Sequence, residues 1–257
     1  MFGFGAKLPV SEKVSGWIDA SMAGFVERFG LDRLHGAEVA LPTDSFFPDP
    51  WTGADADVEP LLRRVCSYMR VDPARLTLNV THKKEDGLRE ILPYWSESSR
   101  GAAGLYQEHS DEEKIRITVF LDRSSQHSSV IATIAHELGH VLLLADGVVP
   151  RDAPDMEQLT DLITVFCGLG VLSANSVIRS SQWDSGTGRY GWSVERQGYL
   201  SEEMYGYALA VFAMLRGETD PAWSKHLNLN VRTYLKQSLN LLARRQKTAA
   251  RLALKKS

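Results

Sequence analysis

Cysteine is scarce in this chain: two of 257 residues, Cys66 and Cys167, with no CxxC pair. That excludes a disulfide framework and a CxxC redox motif; both residues sit in apolar helical contexts and read as buried, reduced thiols. No apolar run reaches membrane-spanning length, and the opening MFGFGAKLPVSEKV has neither a basic start with a long apolar stretch behind it nor a cleavage site. A reducing cytoplasm is the expected compartment. Acidic residues are missing from Pro221 onward, where nine Lys and Arg stand with no Asp or Glu; this tail carries about +9 and the preceding part about −12, the whole summing to −3. No nucleic-acid fold motif accompanies the basic tail. It reads as a solvated helix packing on the acidic body, with contact to an anionic partner as the alternative. Hydrophobic residues at 44% and charged residues at 24% are ordinary for a soluble globular protein, and the length suits one well-packed domain with extensions.

What the chain does have is the stretch IATIAHELGHVLLL, Ile131 to Leu144, an HExxH sequence whose apolar residues Ile131, Ile134, Ala135, Leu138, Val141 and Leu142 recur at helical spacing. On a helix His136 and His140 fall one turn apart on one face, where two imidazoles can bind one metal ion. Glu137 then turns its carboxylate toward the ion's open side. Zinc in hydrolases takes three protein ligands and keeps one position for water, so a third ligand is required. The segment PDMEQLTDLITVFCGLG, Pro154 to Gly170, reads as a second helix opening after Pro154 or Asp155, with Glu157 and Asp161 at i and i+4. Glu157 is favoured as ligand, with Asp161 accepting the free ring N–H of a ligand histidine. Asp146 and Asp161 are the rival third ligands, although Leu143 stands where an Asp146 site of metzincin type would need Gly.

HELGH followed by Glu157, Thr160 and Asp161 resembles the gluzincin metallopeptidases, and among them the small ImmA/IrrE-type proteins with their E-x-x-[small]-D block. The string EQLTDLITVFCGLGVL also resembles uncharacterised bacterial HExxH proteins. The resemblance covers residues 128 to 172. It implies an α+β, zincin-like fold: a small mixed sheet packed on the HExxH helix and a second ligand-bearing helix, with helical N- and C-terminal extensions. It also implies that an edge strand, here Ala103, Gly104, Leu105 and Tyr106, binds an extended peptide substrate by main-chain pairing.

Residues 1–50 then form an N-terminal helix and linker, 51–220 the metallopeptidase domain and 221–257 the basic helical extension. Val14, Trp17, Ile18, Met22, Phe25, Val26 and Phe29 give a helix over 10–29. Leu41 to Trp51, with three prolines, reads as a loop and Asp57 to Met69 as a short helix. Strands are expected at 76–82 and, as a hairpin, at 102–108 and 114–120, with Ser128 or Ser129 capping the HExxH helix. Ser180 to Tyr199, rich in Gly and Ser, reads as a long loop able to cover the cleft. Leu200 to Arg216 reads as a helix capped by Ser201. After Leu235, Leu239, Leu242 and Ala243 the helical pattern of the tail dissolves.

The expected function is a zinc (Zn2+) metallopeptidase with Glu137 as general base. A donor for the developing oxyanion is also needed, and Arg196, Tyr199, Tyr205, Tyr207 and His226 are available, Tyr205 standing for the role. The alternative is a metal-binding regulatory protein of zincin type with little general protease activity. His35, His82, His109 and His127 lack partners at ligand spacing and read as surface or satisfied histidines.

Overall fold

A computed structural model describes residues 7–82, 104–107, 114–122, 125–145, 147–184, 190–196 and 199–254, with 178–184, 190–196 and 246–254 as backbone only. It is a mixed α+β protein, mostly helical, with a small three-stranded sheet.

The N-terminal periodicity becomes α1, Glu12–Phe29, opened by Ser11, whose hydroxyl accepts the Val14 N–H, and buried along Ile18, Met22 and Phe25. Gly30, at φ 89, turns the chain directly into a five-residue helix α2, Leu31–His35, which the sequence reading did not separate. The proline-rich stretch after it is irregular, and α3, Val58–Met69, follows.

The sheet has the order β1-β3-β2, where β1 is Leu76–His82, β2 Gly104–Gln107 and β3 Ile115–Leu121. β1 runs parallel to β3 and β2 antiparallel to it, with Gly104 opposite Val119 and Tyr106 opposite Ile117. β3 is the buried central strand, so among the described residues β2 is an edge, and it lies beside the HExxH helix. The expected hairpin pairing is present; its turn, 109–113, and Ala103 lie outside the described residues.

The HExxH helix is α4, His127–His140, and it continues as a π-helical segment over Val141–Ala145. It opens earlier than expected, because the Gln126 carbonyl accepts the N–H of both Ser129 and Val130, so neither Ser128 nor Ser129 is the cap. Contrary to the sequence reading, this 19-residue run is long and apolar enough to cross a membrane by length and composition; it is mostly buried inside the protein, as the core helix of a folded domain is. The second helix, expected over Pro154 to Gly170, is the shorter α5, Met156–Phe166, and a separate helix α6, Gly170–Asn175, follows it. The break is at Gly168, which has φ +88 and lies so close to the chain at Glu38 that a Cβ would overlap that carbonyl oxygen. Gly168→Ala is therefore expected to lower stability by at least about 2 kcal/mol, read as a lower urea midpoint with unchanged slope.

Most of the expected loop is strand instead: β4, Ile178–Asp184, pairs antiparallel with β5, Tyr190–Arg196, while 185–189 and 197–198 lie outside the described residues. Ser180, Ser181, Gly191 and Ser193, which suggested a loop, lie within these strands, beside the Ile, Trp, Tyr and Val of IRSSQWD and YGWSVER. α7, Glu202–Leu215, starts at Ser201 as expected, its hydroxyl accepting the Met204 N–H. α8, Leu229–Leu254, packs along it so closely at Gly206 that a Cβ there would overlap Tyr234. α8 also stays helical through the basic stretch where the sequence pattern fades. A contiguous apolar core joins α1, α3, α4, α5, α7 and the start of α8, from Ile18 to Leu235, so the terminal helices share the interior with the sheet. Cys66 and Cys167 are buried and unbridged, and burial pushes both thiols up, to about 12 and about 11.

Candidate metal centre

α4 brings the two imidazoles of its HExxH turn together with ring centroids 5.0 Å apart and planes at 85°. From the first turn of α5, Glu157 reaches both: its Oε2 lies 3.1 Å from His136 Nε2 and 3.5 Å from His140 Nε2. One ligand atom from each of His136, His140 and Glu157 lies within 4.8 Å of the others. The remaining ring nitrogens are tied back. His136 Nδ1 is 2.8 Å from Asp161 Oδ1, and His140 Nδ1 is 3.3 Å from Thr160 Oγ1. Thr160 donates its own hydroxyl proton to the Met156 carbonyl at 2.8 Å, so its oxygen is left to accept the His140 Nδ1–H. Both rings therefore turn their Nε2 toward Glu157. The polar task of Thr160 was hidden in the sequence, where it counted only as a small residue.

Burial works against a charge on His136, yet its hydrogen bonds with Asp161 and Glu157 outweigh that and hold its pKa well above the usual value. Glu157 is the reverse case: burial would raise it, but bonds from His136 and His140 hold it well below the usual carboxylate range. Two imidazole nitrogens and one carboxylate aimed at a common point are a donor set that fits zinc. The close fit of α5 on α4 depends on Gly139, where a Cβ would come within 2.8 Å of Thr160 Cγ2 and 3.0 Å of its carbonyl oxygen.

Glu137 stands outside this donor group. It is 5% exposed, lies under β2 and accepts the backbone N–H of Tyr106, and burial pushes its carboxyl above the usual range despite the two imidazoles. Gly104 is what allows the strand so near, since a Cβ there would sit 2.6 Å from Glu137 Oε1 and 2.7 Å from Thr133 Cγ2. Two residues on, the Tyr106 ring lies over His140 at 5.8 Å between centroids. Gly104, Leu105 and Tyr106 thus take the expected place beside the HExxH helix.

The other expectations divide. Asp146 lies outside the described residues, and Asp161 is occupied behind the site: its Oδ2 accepts the backbone N–H of Tyr199 at 2.6 Å and of Leu200 at 3.0 Å. Tyr205 does not face the donor group. It is 1% exposed, bonded to Asp161 and Ser173, and burial holds its phenol well above the usual value, so it supports Asp161 from the core. Tyr207 donates to Asp19 on α1 at 3.0 Å, and His226 lies in a 3-10 turn, its carbonyl accepting from Asn175 at 2.8 Å. Arg196 belongs to β5, and its side chain is outside the described residues. Among the candidates whose side chains are described, Tyr199 meets the site: its ring stacks on His136 at 5.7 Å and 22°. Burial, with Glu157, Asp161 and Glu137 nearby, pushes its phenol up to about 12, which keeps it a hydrogen-bond donor at neutral pH.

Of the remaining histidines, His35 Nε2 meets the Leu215 carbonyl at 3.0 Å and His82 meets Asp55 at 2.7 Å, while His127 stacks on Trp51; His109 lies outside the described residues. Comparison of the chain with protein-family models, with curated proteins and with solved structures gave no match.

Proposed function

We propose that this protein is a zinc-dependent metallopeptidase that hydrolyses peptide bonds in a cytoplasmic protein or peptide. The observation that carries the reading is the meeting of His136, His140 and Glu157 within 4.8 Å, beside a buried acid, Glu137, that is not one of the three. A purely structural zinc site closes its fourth position with another ligand and needs no base. Zinc at such a donor set supplies Lewis acidity, polarising a carbonyl and making water easier to deprotonate. Glu137 accepts the proton as the water oxygen bonds to the carbonyl carbon. It returns that proton to the amine nitrogen as the C–N bond breaks. A carboxyl raised by burial suits both halves of that exchange. Among the described residues no strand lies beyond the β2 edge, and an extended peptide added there would have its backbone satisfied next to Glu137.

Incubating the zinc-loaded protein with a mixture of peptides tests this directly. Cleavage that a chelator abolishes and zinc restores is the expected result; a fully loaded protein that yields no product from any peptide contradicts it. One observation favours a second reading, a regulatory protein that binds metal and a partner but seldom cuts: Glu137 is only 5% exposed under β2. A single partner recovered uncleaved in the presence of zinc supports that reading.

A further inference from the structure

We propose that Trp17, on the N-terminal helix α1, is a positioning residue of the metal centre: the hydrogen bond from its indole to Asp155 sets the first turn of α5, and through that turn the carboxylate of Glu157. The inference rests on the reading of His136, His140 and Glu157 as zinc donors, and it is independent of the reaction that follows.

Asp155 stands at the N-cap of α5, where an aspartate ordinarily turns its carboxylate inward to accept an N–H two or three residues on. It makes no such bond here. Its Oδ2 instead accepts the indole N–H of Trp17, 138 residues earlier in the chain, at 2.6 Å. The turn held in this way carries Glu157, two residues further on, whose Oε2 lies 3.1 Å from His136 Nε2 and 3.5 Å from His140 Nε2. The first turn of a helix lacks intrahelical partners for its N–H groups and is where fraying starts, and residues 147–155 lead into this one without helix or strand. An anchor from outside α5 therefore has most to do at this end.

The helix that supplies the anchor is itself firmly seated. Ile18 and Met22, beside and one turn beyond Trp17, are fully buried. At the other end of α5 the rings of Phe25 and Phe29 meet Phe166 with centroids 5.8 and 5.9 Å apart. α1 thus holds α5 at both ends, by aromatic packing at the last turn and by the indole at the first. A further bond of α1, from the Tyr207 hydroxyl to Asp19 at 3.0 Å, ties it to α7 and not to α5. That bond supplies the control.

The test is the zinc Kd of a set of variants, measured by competition with a chromophoric chelator. Trp17→Phe keeps an aromatic ring and removes the donor, and its Kd should rise about 10-fold. Asp155→Ala removes the acceptor and should give a similar rise. Tyr207→Phe loosens α1 from α7 alone and should keep the wild-type Kd. In Glu157→Ala, where the carboxylate that Trp17 positions is gone, adding Trp17→Phe should raise the Kd no further. Wild-type zinc affinity in both Trp17→Phe and Asp155→Ala would overturn the inference. So would an equal rise in Tyr207→Phe, or a Trp17→Phe effect that persists undiminished in Glu157→Ala, because either would make the effect one of general stability. A wild type that binds zinc but cuts no peptide would remove the peptidase reading and leave the role of Trp17 standing, whereas a wild type that binds no zinc would remove both.

Discussion

Glu137→Gln is expected to retain zinc at the wild-type level and to lose about 10³- to 10⁴-fold in kcat for peptide hydrolysis. Glutamine has nearly the same shape and its amide oxygen still accepts the Tyr106 N–H, so the strand over it need not move. What it cannot do is take a proton from water. The variant should also be at least as resistant to heat as the wild type, because a carboxylate 5% exposed resists being charged and its neutral replacement does not. Inactivity with unchanged metal content and an unchanged or higher Tm therefore isolates proton transfer from folding. Undiminished cleavage by Glu137→Gln would take the general-base role away from this residue.

The second large effect concerns the ion itself. Removing one of the three donors, in His140→Ala or Glu157→Ala, should raise the zinc Kd by several orders of magnitude, whereas Asp161→Asn should cost only about 10- to 100-fold. The difference follows from where each group sits. His140 and Glu157 present an atom to the common point, while Asp161 acts by holding His136 Nδ1 at 2.8 Å and the chain entering α7. Competition with a chromophoric chelator measures the series. If Asp161→Asn weakened zinc more than Glu157→Ala did, Asp161 would be the third ligand and α5 would have to present a different face to α4.

The parts of the site readable in the sequence were those that rest on a helical repeat. His136 and His140 are four residues apart, as are Glu157 and Asp161, and a helix places each pair on one face without help from the rest of the chain. The strands expected at 76–82 and 102–108 were legible from local pattern too, the first from its alternation of apolar and polar residues, and they are found at Leu76–His82 and Gly104–Gln107. Tertiary contacts were not legible. Nothing near Tyr205 in sequence announces that it is buried against Asp161, and nothing near Tyr199 announces the stack on His136, since each contact joins residues far apart in the chain. The pair of strands β4 and β5 was itself obscured because Ser180, Ser181, Gly191 and Ser193, inside the strands, gave the segment the composition of a loop. The cap of α4 was missed because Gln126 acts through its carbonyl, which leaves no side-chain signature. Gly104 and Gly139 look like ordinary glycines until the strand and helix they admit are in place.

The central claim is that His136, His140 and Glu157 bind one zinc ion with no thiolate. X-ray absorption at the zinc edge of the reconstituted protein examines it most directly. The expected spectrum has only nitrogen and oxygen neighbours at about 2.0 to 2.2 Å, with outer-shell scattering from two imidazoles that drops to one in His140→Ala. Sulfur at about 2.3 Å, or a protein that leaves gel filtration without zinc, would contradict it.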